Sequence, residues 1–95
     1  MDNREKLEKM DRALRLLQDL KQSQVAMVEK SSKLQVDAME FNFSEMEKNM
    51  GNLFSTFNES LDKINTELER FEIRRNQFEM KHGLDKEEGL SPKVD

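Results

Sequence analysis

The stretch Phe54-Ser55-Thr56-Phe57-Asn58-Glu59-Ser60-Leu61-Asp62-Lys63-Ile64-Asn65-Thr66-Glu67-Leu68-Glu69-Arg70-Phe71-Glu72-Ile73-Arg74-Arg75-Asn76-Gln77-Phe78 decides the fold. Phe54, Phe57, Leu61, Ile64, Leu68, Phe71 and Phe78 recur along it in a three-four series, with Ile73 the one apolar residue off that series. That spacing puts one apolar stripe on a helix and leaves the other faces to charge, which is the pattern of a coiled-coil seam. Arg75 alone interrupts it. An arginine at a seam position selects register or orientation by pairing across the interface; the other reading is that the seam ends there. Lys81-His82-Gly83-Leu84 closes the helix well, with basic residues in the last turn and Gly83 as the C-cap glycine.

Working outward, the N-terminal part carries a second stripe: Leu7, Met10, Leu14, Leu17 and Leu20. Asp2 and Glu5 have capping-box spacing, so a helix can begin almost at the first residue. Glu5–Lys9, Glu8–Arg12 and Asp11–Arg15 are acid-first i,i+4 pairs that favour it further. Continuing this stripe meets Gln24, Met27, Ser31, Leu34, Ala38 and Phe41. Ser31-Ser32 reads either as a bend or as a polar layer in a continuous helix.

The strongest turn signal is Asn49-Met50-Gly51-Asn52. Asn and Gly tolerate the left-handed backbone found at helix ends, so a hairpin turning at Gly51 is expected. The alternative is one long helix through Gly51, at about 1 kcal/mol relative to alanine. The expected layout is therefore all-α: one domain over 1–83, with a helix over about 3–48, a turn over about 49–52 and a helix over about 53–82. Residues 84–95 lose the pattern and read as a flexible polar tail. Arms this unequal, about 45 and about 30 residues, span roughly 70 and 45 Å. The overhang then needs cover from a bend or a partner, and a long antiparallel hairpin assembling into a helical bundle follows.

Composition narrows the function. Of 95 residues, 38% are charged and 35% hydrophobic, which suits helices burying a single stripe. The net charge is −4, so nucleic acid is not an expected partner. There is no cysteine and no apolar run of membrane-spanning length. With no apolar leader at Met1-Asp2-Asn3-Arg4-Glu5, the expected compartment is the cytoplasm, with leaderless export left open. The sequons at Asn42 and Asn58 then read as chance. The single histidine, His82, forms Glu79-x-x-His82, a spacing used in helical metal sites, but such sites need a second copy and further carboxylates. Arg70, Arg74 and Arg75 alternate with glutamates and read as a solvated face. The expectation is a non-enzymatic protein with no cofactor, no metal and no catalytic residue. Its partner would be a helical protein or a second copy. Seven methionines suit adaptable packing against an exchangeable partner.

The segment Met50-Gly51-Asn52-Leu53-Phe54-Ser55-Thr56-Phe57 resembles the turn and second-helix start of the Trp-x-Gly family of type VII secretion. The resemblance implies a helical hairpin turning at Gly51, with Phe54 and Phe57 as early packing positions. Asn49 stands where that family has its tryptophan, and no tyrosine supplies the C-terminal export signal. Three functions follow as expectations: a coiled-coil adaptor or scaffold subunit; a secretion-associated partner or chaperone of a larger secreted protein; or a regulator that sequesters an enzyme or transcription factor through an amphipathic helix.

Overall fold

A computed structural model describes residues 1–85. The chain folds as an antiparallel hairpin of two helices, α1 over Asn3–Glu40 and α2 over Ser44–Lys81. Each has 38 residues and is about 57 Å long. Helix α1 starts where the capping box predicts: the Asp2 carboxylate accepts a hydrogen bond from the Glu5 amide at 2.8 Å. The serine pair makes no bend. Ser31 is buried, and its hydroxyl donates to the Val28 carbonyl at 2.9 Å within an unbroken helix.

The turn is not at Gly51. It lies at Phe41-Asn42-Phe43, about ten residues earlier. Asn42 takes φ 61°, the left-handed backbone that asparagine tolerates better than most residues. The Phe43 amide reaches back to the Ala38 carbonyl at 2.9 Å and the Asn42 amide to Met39 at 3.2 Å. This is a Schellman closure with Asn42 at C′. Glu45 and Glu47 follow in the first turn of α2, where the helix dipole favours acid. The far end of α2 repeats the grammar. His82 caps it, Gly83 takes φ 66°, and Leu84 beyond is 5% exposed. The folded unit therefore extends past residue 83 to include Leu84. The rest of the expected tail, 86–95, lies outside the described residues.

Gly51 sits inside α2, opposite Gln35 of α1. A Cβ there would lie 2.8 Å from the Gln35 amide nitrogen. Gln35 is flexible at that end, so it can swing aside, while alanine recovers helix propensity. Gly51→Ala should raise stability by about 0.5–1 kcal/mol, or roughly 4 °C in thermal melts. A loss of that size would mean the Gln35 approach dominates. At the true turn the sign reverses. Asn42→Ala should cost about 1 kcal/mol, and Asn42→Gly should cost nothing, in the same melts.

Candidate functional site: a half-open seam and a lateral stripe

With equal arms the overhang disappears. The N-terminal stripe from Leu7 to Leu17 is buried or half-buried on the α2 side of α1 and is not an overhang left for a partner. In α1 the rows facing α2 are Leu7, Leu14, Lys21, Val28 and Gln35, interleaved with Met10, Leu17, Gln24, Ser31 and Ala38. In α2 they are Phe54, Leu61, Leu68 and Arg75, interleaved with Met50, Phe57, Ile64, Phe71 and Phe78. Eleven of the twelve expected seam residues fall on these rows and are buried or half-buried. Leu20 does not. It is 49% exposed, because the inward position is Lys21. The stripe read from sequence slips between Leu17 and Leu20, where two three-residue steps follow one another. That step is the available signal, since a strict seam alternates three and four.

The seam is polar towards one side. Arg75 is 19% exposed, and its Nε lies 2.6 Å from the Asp11 carboxylate of α1. Its Nη1 donates to Glu79 at 2.8 Å. The hydrogen bond to Asp11 is the main reason the guanidinium pKa is raised; desolvation pulls the other way. Arg75 thus pairs across the interface between the chain's own two helices. Further along, the Gln24 amide donates to the Phe57 carbonyl at 3.1 Å. The Glu79-x-x-His82 pair is already committed: Glu79 to Arg75, and His82 Nδ1 to the Asn3 amide nitrogen at 3.0 Å. Among the described residues no three His, Cys, Asp or Glu side chains converge as metal ligands. No helix among them is long and apolar enough to cross a membrane.

Two helices cannot close this seam. Among the described residues only Leu7, Ala38 and Leu84 are buried hydrophobics, and α2 contributes no buried residue at all. Phe54, Phe57, Leu61, Ile64, Leu68, Phe71 and Phe78 are each half-buried. The opposite side of the hairpin from Arg75 is open and apolar over its central and turn portions. Along α1 the row Ala13, Leu20, Met27, Leu34 and Phe41 recurs every seven residues and is exposed throughout. Lys6 begins this row and shares a groove with Met10, Glu67, Arg70, Phe71 and Arg74. The row therefore flanks a groove shared by both helices. Leu53 of α2, in the same row as Glu67 and Arg74, is exposed on this side too. A second groove on α1, lined by Ala13, Leu16, Leu17, Asp19, Leu20 and Ser23, adjoins the row, with Leu16 69% exposed.

No protein-family model, curated protein or solved structure matches the chain.

Proposed function

We propose that the chain is a non-enzymatic interaction subunit that works by packing its hairpin against further helices. One observation carries this reading: the apolar seam of a full-length hairpin stays half-open, and an apolar row beside it is exposed. Isolated exposed leucines are ordinary, but a contiguous apolar face recurring at heptad spacing marks a helix-packing surface. Unpartnered, the seam gains only part of the ~1.5–3 kcal/mol that full burial of each large side chain provides. Added helices would supply the rest. The surface offers helix-on-helix packing, in which shape and spacing determine the partner.

The test is capture of the full-length chain from its native source at native abundance, with identification of what accompanies it. A helical protein, or the chain's own second copy, in fixed stoichiometry supports the reading. A chain that is monomeric, fully helical and unaccompanied opposes it.

A further inference from the structure

The arginines and glutamates that alternate along the end of α2 are sorted by the helix onto different sides. Glu72 shares a row with Glu79, on the Arg75 side, and Glu69 shares the next row round with Asp62. Arg70 and Arg74 fall on the opposite side, where they line a groove with Glu67 and Phe71 and with Lys6 and Met10 of α1. Lys81 continues the row of Arg74 and Lys63 that of Arg70, each seven residues away and exposed. Arg75 has two carboxylates. Lys6, Arg70 and Arg74 have none: among the described residues no acid stands within ion-pair distance of them. Lys6 lies instead over the Phe78 ring, 5.0 Å from its centroid. The chain as a whole carries a charge of −4, so this groove locally reverses its sign.

Cations on an outer, fully solvated face need no partner. These three instead rim an apolar floor, because Met10 and Phe71 are half-buried in the same groove. Lys6 stands on one bank, and Arg70 and Arg74 stand on the other. Whatever fills the groove therefore needs an apolar stripe with acid on both shoulders. An amphipathic helix supplies that from one face, with its stripe on the floor and carboxylates on the two flanking rows. Arg70 and Arg74 are one helical turn apart, the spacing at which such a helix repeats its carboxylates. A nucleic acid would engage the cations but leave the floor in water, and the net charge of the chain opposes it. We infer that this groove binds an acidic amphipathic helix of another protein. The inference rests on the proposed helix-packing function and states the charge of its partner.

Fluorescence anisotropy of the full chain with labelled synthetic helices of about 18 residues tests it. One peptide carries leucines at seam spacing with glutamates on both flanking rows; the other has glutamine at every glutamate. The acidic peptide should bind about tenfold more tightly, and the gap should close as salt rises towards roughly 0.5 M. Arg70→Glu with Arg74→Glu should weaken the acidic peptide about tenfold and leave the glutamine peptide unchanged. Arg12→Glu with Arg15→Glu makes the same charge change on exposed positions of α1 outside the groove, and should alter neither. All four positions are exposed, so circular dichroism should show equal helicity in the three chains. Equal affinity for the two peptides overturns the inference, as does indifference to the Arg70 and Arg74 reversals; either result leaves the helix-packing function standing. Tighter binding of an oligothymidylate, or of phosphatidylserine vesicles, also overturns it and gives the groove to nucleic acid or to a membrane surface. Binding of neither peptide overturns it too, and the broader function then falls only if native capture brings down no helical protein.

Discussion

Ile64→Asp will remove most of the hairpin's stability, while Ile73→Asp, nine residues along the same helix, will leave the fold nearly untouched. Ile64 lies at the centre of the α2 seam and is half-buried against α1. Ile73 lies on the outer face and is 57% exposed. Both substitutions pay the same difference in helix propensity, a few tenths of a kcal/mol. Only Ile64 also forfeits apolar burial, about 1–2 kcal/mol for a half-buried side chain, and sets a carboxylate against the apolar seam. The sum is about 3 kcal/mol. A chain of this size starts from only a few kcal/mol, because two helices bury too little surface to do better. Urea unfolding followed by far-ultraviolet circular dichroism should show the Ile64 variant largely unfolded at low concentration and the Ile73 variant close to the parent. Equal losses from the two would mean that α2 has no preferred face.

The α2 seam was legible because its residues are apolar at nearly every inward position. Phe54 to Phe78 fixes the phase of the helix without help from α1. The phase of α1 was harder to read. Its inward rows include Lys21, Gln24, Ser31 and Gln35, so the apolar count tips towards Leu20, Met27, Leu34 and Phe41 on the flank. Periodicity follows apolar residues, and in α1 those residues serve two faces. The turn was missed for a related reason. Glycine is the usual left-handed residue at a helix end, yet Gly51 lies inside α2, opposite the Gln35 side chain. Asn42 takes the left-handed position between two phenylalanines that hide it in an apolar pattern. Moving the turn to Asn42 makes the arms equal, and it relocates the exposed surface from the N-terminal end to the flank. It also takes Gly51 away from the place that the secretion-family resemblance gives it. At the other end, Gly83 and the Asp2 cap stand alone outside any apolar run, and both were readable directly.

Arg75→Glu should cost about 3 kcal/mol, and Asp11→Arg in the same chain should recover more than half of it. The reversal places three carboxylates, at 11, 75 and 79, where one guanidinium now bridges two. Asp11 and Glu79 are each about a third exposed or less, so solvent screens them incompletely. The double variant restores a cation between two acids with the sign of each helix exchanged. Arg74→Glu is the control, since Arg74 is exposed on the neighbouring row, and it should change stability by less than about 0.5 kcal/mol. A double-mutant cycle from urea titrations reads the coupling directly, and a coupling below about 0.5 kcal/mol would show that the Asp11 contact does not fix the pairing. Replacing Arg75 with leucine should cost much less than reversing it, because a well-packed apolar side chain substitutes for an ion pair at little loss. The gap between those two variants separates alignment from stability. An arginine that contributes little net energy still penalises any pairing of α1 and α2 that takes Asp11 away from position 75. A one-heptad slip would do this while leaving the apolar rows in contact, so the charge pair would add its penalty to the one the three-residue turn at Phe41-Asn42-Phe43 already sets against such a slip.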